Sequence, residues 1–238
     1  MIFLSRLTSL VMSATTMPIT FLDFMKTNYW IPSLLLLSFT SSLFGGEKGW
    51  VDLFNGKNLD GWENTYEWGE AKVVNGVIEL VGNQKFFLST TRKYSDFDFT
   101  GEVKLPVGRA NSGFLFRSQR RENGHMFGYQ AEVDGSERRW SGGFYDEGRR
   151  KWILPVKPEN SPKNKELWPE EKRNALKRND WNKYRIRCVG EKISFWVNGV
   201  QTLDISDDLD SEGYIAIQHH GEKGQVYRFR NLRIRELK

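Results

Sequence analysis

The run "GYQAEVD" sets Gln130, Glu132 and Asp134 at every second position, with Tyr129, Ala131 and Val133 between them. In an extended strand alternate side chains share a face, so the polar three point one way and the apolar three anchor the strand from the other. Carboxylates grouped in this way can accept a proton from a ligand or hold its hydroxyls. In "GYIAIQHHG" the same alternation puts Ala216, Gln218 and His220 on one face and Ile215, Ile217 and His219 on the other. These are two of the three histidines in the chain. His220 is the candidate for proton transfer or ligation, because imidazole changes charge near neutral pH. His219 is expected as a buried strand-end residue with a satisfied ring nitrogen. "NSGFLFRS" gives Asn111, Gly113, Leu115 and Arg117 one parity and Phe114 and Phe116 the other, which puts Arg117 in the open. There it could pair with Glu132 and Asp134 or hold a developing oxyanion. Tyr145, in "SGGFYDEG", supplies an aromatic ring at an edge where a sugar could stack. The chain has no Gly-x-Ser-x-Gly elbow, phosphate loop or His-Glu-x-x-His helix.

Short strands must carry these residues. Asn75-Gly76 in "KVVNGVIELVG" and Asn198-Gly199 in "ISFWVNGVQTLDI" sit between apolar runs, the strong local signature of a hairpin. The further runs "FDFTGEVKL", "SGFLFRS", "FGYQAEVD", "KYRIRCVG", "GYIAIQHH" and "VYRFRNLRIREL" are bounded by turn formers, which predicts an all-β, two-sheet sandwich. With 238 residues, 39% of them hydrophobic, the chain can build one sizeable core. The single Cys188 excludes an intramolecular disulfide, and its place in "YRIRCVG" predicts a buried strand residue. The net charge of +5 is spread among 30 acidic residues without a basic block or a stacking module, so no nucleic-acid partner is expected. One stretch breaks the pattern: residues 155–180 are Pro-containing and charged, and predict a long surface insertion with a short helix after Pro169. It could be the rim of a site or a plain solvated excursion.

From Met25 a Lys, an apolar run and then small residues have the layout of an export signal, expected over 25–46. The apolar run is shorter than a membrane span, so no stable membrane insertion is expected after signal removal. Residues 1–24 carry no domain pattern and read as an upstream extension, which leaves 47–238 as the folded domain and places it in the periplasm or outside the cell.

Taken in order, "VDLFNGKNLDGWE", "YSDFDFTGEVKL", "NSGFLFRS", "GYQAEVD", "GGFYD", "DWNKYRIRCVGEKISFWVNGV" and "GYIAIQHHG" followed by "VYRFRNLRIREL" resemble the 3-keto-disaccharide hydrolase family over about residues 49–237. The resemblance implies a concanavalin A-like antiparallel jelly roll with its ligand on the concave sheet. It also implies an exported enzyme on glycosides whose C3 hydroxyl is already a ketone. The ketone acidifies the C2 proton, so a base can remove it, the C1 substituent leaves, and water adds back. Carried onto this chain, Glu132 or His220 takes the proton and Arg117 steadies the enolate, while Asn111, Gln130, Asp134, Tyr145 and Gln218 bind the sugar. Gln130 stands where the family often has Glu, and an amide cannot serve as base there. Glu132, Asp134 and His220 together could hold a divalent cation. The alternative is a lectin-like module that binds carbohydrate without cleaving it, since the fold serves both.

Overall fold

The computed structural model describes residues 48–237; the extension expected over 1–24 and the export signal expected over 25–46 lie outside them. In chain order the elements are β1 (Val51–Asp52), β2 (Trp62–Asn64), β3 (Glu70–Val74), β4 (Val77–Val81), β5 (Phe86–Tyr94), β6 (Phe97–Lys104), β7 (Asn111–Arg120), β8 (Met126–Asp134), β9 (Phe144–Glu147), β10 (Lys151–Leu154), α1 (Asn164–Leu167), α2 (Glu170–Arg173), β11 (Asn182–Val189), β12 (Lys192–Val197), β13 (Val200–Ser206), β14 (Gly213–His219) and β15 (Val226–Glu236). One sheet has the order β13-β12-β11-β6-β15-β4-β3, with β1 added beside β15; the other runs β10-β9-β8-β7-β14-β5-β2. Every strand pairing is antiparallel.

The two Asn-Gly pairs turn the β3–β4 and β12–β13 hairpins with positive φ at both residues, 50° and 78° for Asn75 and Gly76, 50° and 90° for Asn198 and Gly199. That is the twist-matched hairpin turn which Asn and Gly adopt with little strain. Alternation then fills the space between the sheets. Tyr129, Ala131 and Val133 of β8 meet Tyr184, Ile186 and Cys188 of β11 in one buried core. Cys188 is fully buried, as its strand context predicts, and burial pushes its thiol up to about 12.

Arg117 departs from the expected parity. The β7–β8 register shifts between Leu115 and Gln119, and Arg117 itself has φ of 44°. A bulge of this kind adds residues to one strand and re-aims the side chains beyond it. The Arg117 side chain is therefore buried away from Glu132. Its Nε donates to the Ser95 carbonyl at 2.8 Å, and its terminal nitrogens reach the Gly190 carbonyl at 2.7 Å and the Asp96 carboxylate at 2.8 Å. The oxyanion role expected of it is corrected to a structural one. Arg117→Met is expected to destabilise the fold by about 2–3 kcal/mol, because buried carbonyls lose their donor, and to leave turnover per folded molecule unchanged. Denaturant unfolding with a parallel assay checks both halves.

The 155–180 insertion is ordered against the body. Trp168 is fully buried and donates to the Arg139 carbonyl at 3.0 Å, and Asn164 ties Val156 from both sides at 3.0 and 2.9 Å. Pro169 caps α2, with Glu170 and Glu171 in its first turn, as the charge pattern predicts.

Candidate active site

Lys85 lies just before β5 and Glu147 lies on β9, with β14, β7 and β8 between those strands. Four strand spacings would separate them by about 19 Å on a flat sheet. Instead their side chains form an ion pair at 2.6 Å, so this sheet curls and its outward face is concave.

Two surfaces share that face. Toward one end Phe87, Leu115, Met126 and Ala216 are buried beneath Tyr66 and Tyr214, and His125 stacks on Tyr66 at 4.6 Å. That half is filled. Toward the other end a cleft of about 200 Å³ is lined by Asn111, Gln130, Glu132, Arg138, Tyr145, Trp152, Gln218 and His220, with Lys85 and Glu147 at its edge. Cross-strand register assembles it: Glu132 faces Gly113, and Gln130 faces Leu115 on one side and Tyr145 on the other. Gly113 is required by packing, since a Cβ there would lie 2.4 Å from Cδ of Gln130.

Glu132 sits on the cleft floor, 3% exposed. Asn111 donates to its Oε1, and Gln130 Nε2 donates to its Oε2 at 3.0 Å. The Arg138 guanidinium stands 3.8 Å from Oε1. From the opposite sheet Tyr184 donates to the Glu132 carbonyl at 3.0 Å, which fixes the backbone at this point. Burial raises the Glu132 carboxyl to about 7; Asp134 adds to the rise, and Asn111, Arg138 and Gln130 oppose it. A carboxyl with that affinity exchanges a proton near neutral pH, which suits a general base.

Asp134 shares Glu132's parity but not its task. Its Oδ1 accepts from the Ser136 amide at 3.0 Å, and its Oδ2 accepts from the Trp140 amide at 3.0 Å and from Arg138 Nε at 2.9 Å. These bonds shape the 135–140 loop and aim Arg138 at the cleft. The expected cation set of Glu132, Asp134 and His220 does not converge, because the Asp134 oxygens are turned into this loop. Among the described residues no group of three His, Cys, Asp or Glu side chains comes together to hold a metal ion.

The two neighbouring histidines divide as their parity suggests. His219 is buried between Phe86 at 5.4 Å and Tyr227 at 4.7 Å. Its Nδ1 accepts from the Gly221 amide at 3.0 Å, and burial lowers its pKa. His220 stands at the mouth of the cleft with Nδ1 2.8 Å from the Glu222 carboxylate. Gln218 lies on the floor, and its Oε1 and that of Gln130 are buried without a hydrogen-bond partner among the described residues.

Asn111, Gln130, Glu132, Tyr145, Gln218 and His220 are therefore brought together, whereas Arg117 and Asp134 are not. Sequence reasoning missed Arg138 and Trp152. The Arg138 guanidinium is held 4.8 Å from the Trp152 ring and 5.1 Å from Trp140, and Trp152 meets Tyr145 edge-on at 5.2 Å. A signal for Arg138 was present: a strand-end Asp followed by Gly-Ser marks a turn in which Asp binds its own loop, so a nearby Arg is held beside it.

Solved structures with the same architecture include a protein of Parabacteroides distasonis described as a candidate glycosyl hydrolase (17% identity, 80% of this chain and 94% of that one, TM-score 0.54). The carbohydrate-binding module CBM66 of Bacillus subtilis is another (15% identity, 74% and 96%, TM-score 0.53). The β-glucanase of Bacillus licheniformis is a third (12% identity, 81% and 100%, TM-score 0.50). At these identities the likeness is one of fold, and that fold is the antiparallel jelly roll. No curated protein matched the chain. The sequence over residues 49–235 matches the profile of the 3-keto-alpha-glucoside-1,2-lyase-like domain, and the chain belongs to that family.

Proposed function

We propose that the protein cleaves 3-keto-glycosides by elimination followed by hydration. Family membership supports a carbohydrate substrate. The observation that carries the reaction is a carboxylate buried on the floor of a polar cleft with a guanidinium 3.8 Å away, where burial pushes its pKa up to about 7.

The ionised Glu132 removes the C2 proton, and the C–H electrons pass into the C2–C3 bond as the C3 carbonyl becomes an enolate. Arg138, held by Asp134, faces the developing oxyanion. Collapse of the enolate restores the ketone, forms the C1–C2 double bond and expels the C1 oxygen, which takes a proton from His220. Water then adds at C1 while a proton returns to C2, so the net change is hydrolysis. Tyr145 and Trp152 flank the ring, and Asn111 and Gln218 meet its hydroxyls. No oxocarbenium ion forms, so this route does not depend on a second carboxylate at the spacing glycosidases use.

The test is to incubate the protein with a 3-keto-glucoside and with its unoxidised parent, with and without added divalent metal, and to follow aglycone release. Release from the ketone alone is expected. Because the base must be ionised, the acid limb of the kcat/KM profile should rise with pH through about 7. Cleavage of the parent glycoside would overturn the elimination route. Binding of sugars without cleavage of either compound would establish the lectin-like alternative, for which the Tyr145–Trp152 pair is already suited.

A further inference from the structure

The outer face of the other sheet, on the far side of the sandwich from the cleft, has a charge arrangement that the proposed reaction does not use. On its three adjacent strands β11, β6 and β15, the outward positions carry eight Lys or Arg side chains against two carboxylates, Asp98 and Glu102. A bulge keeps the arginines of β15 in phase. The β15–β6 register shifts between Arg230 and Arg233, and Asn231 takes φ of 53°. Arg228 and Arg230 before the bulge, and Arg233 and Arg235 after it, therefore all point outward, while Tyr227, Phe229, Leu232 and Ile234 point into the core.

The register arranges four of these arginines in a square. Arg187 and Arg235 flank Asp98, and Arg185 and Arg233 flank Thr100 in the next row. Facing arginines start about 10 Å apart across the strands and about 7 Å apart along them. Three of the four, Arg185, Arg187 and Arg235, share the Asp98 carboxylate at 2.7, 2.8 and 3.1 Å. Their side chains are 41%, 40% and 33% exposed, whereas Asp98 is fully buried. The negative charge thus lies at the level of the sheet, and the positive charge meets the solvent. The single charge of Asp98 is already exceeded by the two of Arg187 and Arg235. Beside the square a polar crevice of about 430 Å³ is lined by Lys183, Arg233, Thr100 and Asn231 together with the carboxylates Asp52 and Glu102.

We propose that this face is a second binding surface, for a polyanionic polysaccharide that bears carboxylates along its chain. Guanidinium forks pair with carboxylates bidentately, and two rows of them can follow an extended chain of repeated charge. The aromatic rings on this face argue for a polyuronate over a nucleic acid. Trp50, Trp181 and Trp196 already lie under Arg235, Arg230 and Arg185 at 5.2, 4.0 and 4.8 Å, and offer no open platform on which bases could stack. Bound in this way, the polymer would hold the protein at a matrix while the cleft on the opposite face stays open.

The experiment measures retention of the full-length protein on immobilised polygalacturonate, with neutral dextran and a duplex oligonucleotide as comparison matrices. Retention on polygalacturonate at low salt, lost at high salt, is expected because exposed charges are screened. Arg233→Gln and Lys183→Gln should each weaken it about two- to fivefold. Asp52→Asn should strengthen it by a similar factor, since this carboxylate is 66% exposed and pairs with Arg233 at 3.0 Å. Lys183 and Asp52 are exposed and Arg233 is half-exposed, so the fold should survive all three changes, and Glu132→Gln should leave retention unchanged. No retention, retention indifferent to these variants, or equal binding of the oligonucleotide would overturn the proposal.

Discussion

Glu132→Gln is expected to lower kcat on a 3-keto-glycoside by about 10³- to 10⁴-fold while making the protein more stable above neutral pH. The loss follows from chemistry: an amide of nearly the same shape fills the site, can exchange hydrogen bonds with Asn111 and Gln130, and cannot take a proton. The gain follows from linkage. Burial raises the Glu132 carboxyl from about 4.5 to about 7, so the folded state holds a proton that the unfolded state has released between those values. A raised pKa of this kind favours folding below the unfolded value and loses that advantage as pH rises through the folded one. The variant, with nothing to ionise, should match the parent near pH 4.5 and exceed it by about 2–3 kcal/mol near pH 8. Thermal unfolding at the two pH values, beside single-turnover kinetics, measures both effects. Full activity in the variant would remove Glu132 as base, and equal stability at both pH values would show that its carboxyl is not raised.

Arg138→Met should lower kcat by about 10³-fold with a much smaller change in KM, because a cation facing the enolate acts mainly in the transition state. A second signature separates this from mere loss of order. Arg138 opposes the rise of the Glu132 carboxyl, so its removal should move the rising limb of the pH–rate profile to higher pH. Arg138→Lys keeps the charge but loses the fork whose Nε holds Asp134 at 2.9 Å, so partial recovery of rate is expected. A variant with normal kcat and an unmoved pH limb would return the oxyanion role to another group. Methionine also leaves the buried Asp134 with only the Ser136 and Trp140 amides, and some loss of stability should accompany the kinetic change.

Periodicity was reliable where strands are regular. In β8 the pairing with β7 and β9 keeps strict alternation around Gln130 and Glu132, and both residues reach the cleft. The end of β14 behaves likewise, and His219 and His220 part to opposite sides as counted. The same count failed at Arg117 because alternation holds only until a bulge, and "GFLFRSQ" carries no glycine or proline at Phe116 or Arg117 to announce one. Asp134 kept its parity and still left the site, since a strand-end carboxylate beside a turn finds backbone amides nearer than any ligand.

By itself the sequence determined the elements: Asn-Gly hairpins, strands with one apolar face, a charged insertion, and the ordered motifs that mark the family over residues 49–235. These are local properties, fixed by φ preferences and a period of two. Only the tertiary structure decided which groups face one another. Curling of the sheet brought Lys85 to Glu147 across three strands and divided the concave face into a filled half and an open cleft. The 135–140 loop, folded on Asp134, set Arg138 beside Glu132 in the place expected of Arg117. The raised Glu132 carboxyl has the same origin, because it comes from desolvation by neighbours distant in sequence, and no local pattern encodes that.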